Sequence, residues 1–102
     1  MSADITVPEI DAFLHEPARL RLLVFLSVLN QADFMFLLRQ SGLSKGNLSV
    51  QMGRLEEAGL ISVDKSFVDN RPRTTFSLTK KGKDALRAYK RTMRDLLEEM
   101  PD

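Results

Sequence analysis

Apolar residues recur along the chain in helical and alternating patterns that predict five helices and one β-hairpin. Residues 8–15 can form a short helix that packs on the core and ends before Pro17, because a residue ahead of a proline disfavours helical geometry. Residues 18–29 are apolar at nearly every position and follow a proline suited to a first helical turn. They therefore predict a central buried helix, which residues 30–33 interrupt.

A second, short helix is predicted over residues 34–40, where Asp33 can act as the N-cap. Its main apolar face contains neither Met35 nor Phe36. These two residues mark either a contact between subunits or a wider buried face, and the pattern does not separate the two readings.

The third predicted helix follows a turn with a permissive Gly42, begins after the N-cap Ser44 and runs to about residue 58, where Gly59 stops it. One stripe of this helix is apolar and consists of Leu48, Met52 and Leu55. The opposite face is small and polar near its start and consists of Gly46, Asn47, Ser49, Val50, Gly53 and Arg54. This face is predicted to be exposed.

A hairpin and a last helix complete the pattern. Residues 61–67 and 74–78 are predicted to form two strands around a turn at residues 69–72, with inward side chains at Ile61, Val63, Phe67, Thr74, Phe76 and Leu78. Thr79 can cap a helix over about residues 81–100. Its apolar positions step like a short coiled coil and are Leu86, Tyr89, Met93, Leu96 and Met100.

The length of the chain limits the number of domains. With 102 residues, 43% hydrophobic and 28% charged, it fits one domain over residues 1–102. We expect an N-terminal extension at residues 1–15 and a C-terminal dimerisation helix at residues 80–100. No segment looks like a secretion signal or a membrane span, so a cytoplasmic protein without membrane contact is expected.

The composition excludes several classes of functional site. There are no cysteines and one histidine, His15, which excludes disulfides, thiolate zinc sites and sites that need two histidines. No glycine-rich phosphate loop or suitably spaced carboxylate pair is present. We therefore expect no enzymatic activity, no metal and no cofactor, and His15 is best explained by packing or surface exposure.

Positive charge is concentrated in one part of the chain. Residues 1–60 carry 5 basic and 7 acidic residues, residues 61–83 carry 6 and 2, and residues 84–102 carry 4 and 5. The net charges of −2, +4 and −1 add to the overall +1. A local excess of this kind is expected of a polyanion contact or of a solvated basic loop.

The third helix follows a tight glycine-containing turn and precedes a hairpin, which is the order of a helix-turn-helix with a wing. Three blocks of sequence, at residues 43–49, 55–61 and 71–82, resemble compact winged-helix transcriptional regulators related to the MarR and ArsR families. Residues 16–23 resemble the first core helix of that group. The predicted fold class is mainly α with a small β-hairpin wing (α+β), a winged helix-turn-helix.

The resemblance implies that the third helix enters the major groove of double-stranded DNA and that the wing reaches the minor groove or the backbone. The predicted DNA-binding residues are Ser44, Lys45, Gly46, Asn47, Ser49, Val50 and Arg54 in the helix and Lys65, Asn70, Arg71 and Arg73 in the wing. Asn47 can pair with adenine, whereas Arg71 suits a narrow minor groove. Relatives often carry histidine in place of Gln51, to which we assign no role.

The predicted function is sequence-specific DNA binding by a homodimer, most simply a repressor that occludes a promoter. The predicted dimer interface comprises Phe13, Leu14, Leu86, Tyr89, Met93, Leu96 and Met100. Part of the last helix can instead pack on residues 20–29 of the same subunit. The alternative function is a winged-helix module that binds another protein and no DNA. A small-molecule effector is left open.

Overall fold

The computed structural model describes residues 5–102, which form four helices and a three-stranded antiparallel sheet. The helices are α1 (Pro17–Leu29), α2 (Phe34–Ser41), α3 (Lys45–Glu57) and α4 (Lys80–Glu98), and the strands are β1 (Gln31–Asp33), β2 (Ile61–Val68) and β3 (Arg71–Leu78). The strand order is β1-β3-β2, with β3 in the centre. This architecture confirms the predicted winged helix-turn-helix fold.

The helix predicted at residues 8–15 is wrong. The chain makes only one turn there, in which Asp11 Oδ1 accepts hydrogen bonds from the N–H groups of Phe13 at 3.0 Å and Leu14 at 3.2 Å. An aspartate that bonds nearby backbone in this way competes with helix formation. The predicted packing role is confirmed, because Leu14 is buried in the core. The first four residues of the predicted extension, residues 1–4, lie outside the described part.

The predicted helix caps are confirmed. Asp33, Ser44 and Thr79 each accept a hydrogen bond from the backbone N–H three residues ahead, at 2.7, 3.1 and 3.0 Å. Helix α1 has a less usual cap, Glu16, whose carboxylate accepts from the N–H groups of Ala18 and Arg19. Each cap satisfies donors that the first turn of a helix leaves unpaired.

The sheet contains one strand more than the sequence predicts. Residues 31–33, expected only to break a helix, pair with β3 so that Ala32 lies opposite Phe76. Three residues are too few to show an alternating pattern, so the pairing partner decides this strand. The hairpin turn is also tighter than predicted, because Asp69 and Asn70 alone connect β2 and β3 with φ angles of +52° and +63°.

The prediction that Phe67 points into the core is wrong. It is 76% exposed near the tip of the hairpin, whereas Ile61 at the base of the same strand is buried. Val63 is the last residue of β2 that packs against the core, so the alternating pattern of β2 continues past the end of the core. The hairpin therefore projects as a wing with an apolar tip at Phe67 and Val68.

One close approach fixes the start of α4. The N–H of Thr79 donates to the Leu60 carbonyl at 3.0 Å, and the Thr79 hydroxyl donates to the Gly59 carbonyl at 2.6 Å. A Cβ atom at Gly82 would overlap the Leu60 carbonyl oxygen. Only glycine lets the first turn of α4 lie against the segment that follows α3.

Candidate nucleic-acid interface

Helix α3 has the two faces that its sequence predicts. Leu48, Met52 and Leu55 are buried in the core. The outward set is exposed throughout and comprises Gly46, Asn47, Ser49, Val50, Gly53 and Arg54. No atom outside the local backbone comes within 4 Å of a Cβ built at Gly46 or Gly53. The outer surface of α3 is therefore open, and small residues on it leave room for another molecule to approach the backbone.

A groove of about 840 Å³ lies between the wing and the start of the helix-turn-helix. Its lining includes four basic residues: Arg39 of α2, Lys45 of α3, and Arg71 and Arg73 of β3. Asp33 and Asp69 are the acidic residues of the same lining, so the groove has an excess of two positive charges. The fold thus brings together basic residues from three elements.

Arg39 and Met35 also line this groove, although neither is among the predicted DNA-binding residues. Arg39 is exposed in the last turn of α2, where a basic residue is equally well explained by the helix dipole. Met35 is 54% exposed and lines the groove, whereas Phe36 packs against the core. Phe36 therefore belongs to a wider buried face, whereas Met35 does not, and a contact of Met35 with another subunit stays a prediction.

The remaining predicted wing residues lie at the exposed end of the hairpin. Lys65 and Arg71 are exposed on β2 and β3, and Asn70 forms half of the turn between them. Arg73 is half-exposed, and its Nε lies 3.8 Å from a carboxylate oxygen of Asp33. Arg73 is thus partly engaged within the chain, whereas Arg71 is exposed in the same groove.

Two of the three basic residues at the start of α4 have partners within the chain. Lys80 bonds Asp84 at 3.1 Å, and this hydrogen bond lowers the pKa of Asp84. Lys81 donates to the carbonyl of Ala58, the C-cap of α3, at 2.9 Å. Part of the positive charge of residues 61–83 therefore supports the fold, and of these residues Arg71 and Arg73 contribute positive charge to the groove.

Behind the exposed face of α3 lies a polar contact that the sequence did not predict. Gln51 is 9% exposed, although it lies one residue beyond Val50 of the outward face. Its Oε1 accepts from Arg19 Nη1 and its Nε2 donates to Asn47 Oδ1, both at 3.2 Å. The position to which we assigned no role thus links α1 to Asn47, a predicted base-reading residue.

The predicted dimer interface is corrected at two positions. Leu14 and Tyr89 are buried within the chain, and the Tyr89 hydroxyl lies 2.7 Å from His15 Nδ1, so neither side chain is available to a partner. Phe13, Leu86 and Met93 pack partly against the core. Part of the α4 seam thus faces α1 of the same chain, and Leu86 and Tyr89 line a groove of about 580 Å³ between the two helices.

The outer part of α4 remains uncovered. Leu96 is half-buried, whereas Leu97 and Met100 are 57% and 61% exposed. On α1, Val24 and Val28 are exposed as well. These residues leave apolar surface exposed at the end of the chain and on α1.

Among residues 5–102, no group of three or more histidine, aspartate or glutamate side chains could hold a metal ion together. Within the same residues, no helix is both long enough and apolar enough to cross a membrane.

A helix-turn-helix with an open polar face on its second helix, flanked by a basic wing, defines the class of winged-helix DNA-binding proteins. Comparison with known families agrees with this class. A family model described as the winged helix DNA-binding domain matches residues 18–97, and the chain belongs to this family. The predicted resemblance to winged-helix regulators is confirmed.

Several known proteins are similar to the chain. An uncharacterized protein of Methanocaldococcus jannaschii is 32% identical over 71 residues, which cover 70% of this chain and 77% of that protein. A transcriptional regulator homologue from Pyrococcus horikoshii has a TM-score of 0.79 at 28% identity, covering 84% of this chain and 85% of the other. A MarR family transcriptional regulator from Silicibacter pomeroyi has a TM-score of 0.66 at 29% identity, covering 81% and 55%.

The family and these neighbours identify a DNA-binding regulator of the winged-helix, MarR-like type. Fold and family point to a regulator and not to an enzyme class; the absence of enzymatic activity stays a prediction.

Proposed function

We propose that the chain is a sequence-specific repressor that binds double-stranded DNA as a homodimer in the cytoplasm. The observation that carries this proposal is the convergence of Arg39, Lys45, Arg71 and Arg73 on one groove beside the open face of α3. A duplex that enters this groove would meet a polar helix and basic side chains together. Repression then requires only that the bound dimer occupies a promoter.

The two elements divide the work of binding. The first turns of α3 enter the major groove, where Asn47 and Ser49 face base edges and Lys45 and Arg54 contact phosphate or guanine. Ser44, Gly46 and Val50 complete the approach surface of the helix. The wing holds the duplex through Lys65, Asn70, Arg71 and Arg73, with Arg71 best placed for the minor groove.

Dimer formation is supported by the apolar residues that one chain leaves exposed. Leu97 and Met100 near the end of α4 are more than half exposed, and Val28 of α1 is 75% exposed. We propose that α4 of each subunit covers this surface on the other, with Phe13, Leu86, Met93 and Leu96 at the edges. Two α3 helices about 34 Å apart could then read successive major grooves of a near-palindrome.

The test is a salt titration of DNA binding, made after selecting bound fragments from randomised duplexes. If the dimer makes about 6–10 phosphate contacts, affinity for the selected duplex falls roughly 10³- to 10⁵-fold between 50 and 200 mM salt. An affinity that does not change with salt would contradict DNA binding as proposed. A protein-interaction module would give that result, together with no selected sequence.

A further inference from the structure

We propose that Gln51, held by Arg19, fixes the direction of the Asn47 side-chain amide and thereby sets which bases the protein accepts at one operator position. Gln51 acts as a positioning residue and does not touch the DNA itself. The inference rests on the proposed function, because it concerns how α3 reads bases.

The three side chains form a continuous hydrogen-bonded relay from the interior to the exposed face of α3. Arg19 Nη1 donates to Gln51 Oε1, and Gln51 Nε2 donates to Asn47 Oδ1, each at 3.2 Å. Gln51 is 9% exposed, whereas Asn47 is exposed. Both ends of the buried amide of Gln51 are therefore satisfied within the chain.

The chemistry of arginine determines the direction of this relay. A guanidinium group only donates hydrogen bonds, so the atom of Gln51 that faces Arg19 must be the oxygen. The amide nitrogen of Gln51 then faces Asn47 and needs an acceptor, which can only be Oδ1. Reversing either amide would place two donors against each other, so the orientation follows from the donor inventory.

Arg19 is itself held in place. Its Nε donates to the Phe13 carbonyl at 2.8 Å, and its guanidinium carbon lies 4.5 Å from the centre of the Phe13 ring. Its side chain is 12% exposed, and Glu16 approaches to 4.0 Å. Arg19 therefore stays in the relay and is not free to bind phosphate.

The relay leaves the Nδ2 hydrogens of Asn47 as the donors that an approaching base can accept. In the major groove, guanine presents two acceptors, N7 and O6, whereas cytosine presents a donor. The two-bond contact with adenine needs Asn47 Oδ1 to accept from adenine as well, so adenine would share this oxygen with Gln51, which already uses one of its two lone pairs. Guanine instead needs only the two free Nδ2 hydrogens. We therefore expect Asn47 to select guanine, which changes our expectation of adenine from the sequence.

The experiment selects bound duplexes from a randomised pool with the full chain and with variants Asn47→Ala, Gln51→Glu and Gln51→Leu. Asn47→Ala identifies the position that Asn47 reads, because its preference is lost there. Gln51→Glu still accepts from Arg19 but cannot donate, so the Asn47 amide turns and presents its oxygen. The preferred base should change from guanine to cytosine or adenine, by roughly 5- to 150-fold in relative affinity.

Two further variants separate positioning from other effects. Gln51→Leu removes both hydrogen bonds, and it should bring guanine and adenine to within a few-fold of each other at that position. Gln40→Glu makes the same change of charge at an exposed position of α2. It should weaken binding through charge and leave the base preference unchanged. Thermal unfolding of each variant verifies that it is folded.

The outcomes distinguish the two proposals. If the wild-type chain selects no sequence, sequence-specific binding fails. If it selects guanine through Asn47 and Gln51→Glu still selects guanine, the relay is overturned while the proposed function stands. The relay is also overturned if Asn47→Ala changes the preference at no position.

Discussion

Arg73 of the wing and Asp33, the N-cap of α2, form an ion pair that joins the two parts of the proposed DNA interface. The Nε of Arg73 lies 3.8 Å from Oδ2 of Asp33, and Oδ1 of the same carboxylate accepts the Phe36 N–H at 2.7 Å. Arg73 is half-exposed, so solvent screens the pair and its contribution to stability is small. A DNA phosphate would compete with Asp33 for the same guanidinium group.

We expect Asp33→Asn to increase DNA affinity for operator and random duplexes alike. Asparagine still caps α2, since its side-chain oxygen accepts the same hydrogen bond, but it no longer holds Arg73. The gain should be about two- to fivefold, which corresponds to one surface ion pair. Fluorescence anisotropy with both duplexes measures it. Asp95→Asn removes the same charge from an exposed position on α4 and should change affinity less.

Substitutions in α3 and in the wing should have different effects on sequence preference and on overall DNA affinity. Asn47→Ala is expected to relax the preference at one operator position by roughly 1–3 kcal/mol. Arg71→Ala should weaken all sequences by a similar factor and reduce the salt slope by about 2, because each subunit of the proposed dimer loses one phosphate contact. Competition between operator and random duplexes measures both effects. A larger change of their ratio in Arg71→Ala than in Asn47→Ala would reverse the assignment.

Gly82→Ala should destabilise the fold, because its methyl group would overlap the Leu60 carbonyl oxygen and push α4 away from the sheet. We expect a loss of about 1–3 kcal/mol or more in the free energy of unfolding, measured with urea. Gly53→Ala is the matched control, since it adds a methyl group to an open helical surface. That variant should gain about 0.5–1 kcal/mol. Equal effects at both positions would contradict the close approach.

The cap of α1 should make stability depend on acidic pH. The hydrogen bond from the Arg19 N–H is the main reason that the pKa of Glu16 lies below its usual value of 4.5. A carboxyl with a lowered pKa stabilises the fold fully above its usual value and loses this effect as pH falls through the lowered one. In urea unfolding, wild type should therefore be more stable than Glu16→Gln at neutral pH. The difference in the free energy of unfolding should shrink below pH 4.5. Glu9→Gln, at an exposed position before α1, is the matched control for the loss of one negative charge.

Removal of residues 92–102 should give a monomer in sedimentation equilibrium. The deletion takes away Leu97 of α4 and Met100 just after it, two large apolar residues that are more than half exposed. Operator affinity should then fall much more than affinity for random duplexes. Leu97→Glu should weaken the dimer in the full chain, whereas Phe67→Ser, at the exposed wing tip, should leave it intact. A truncated chain that stays dimeric would place the interface elsewhere.

The sequence by itself determined the features that depend on neighbours a few residues apart. The caps Asp33, Ser44 and Thr79 bond backbone only three residues ahead, so their residue types predict the helix starts. The exposed face of α3 follows from the helical period, and the wing follows from alternation around a turn. These local signals were enough to predict the winged helix, and the resemblance to winged-helix regulators then implied which of its residues contact DNA.

Only the tertiary structure decided the features that depend on residues far apart in the chain. Strand β1 exists because β3 pairs with it. Phe67 is exposed because the core ends before the wing tip. Leu14 and Tyr89 are buried because the N-terminal segment and α4 pack on the core. The relay to Asn47 joins Arg19 to Gln51 across 32 positions of sequence. No local pattern encodes such a contact, because it forms only when the packing of α1 against α3 brings the two side chains together.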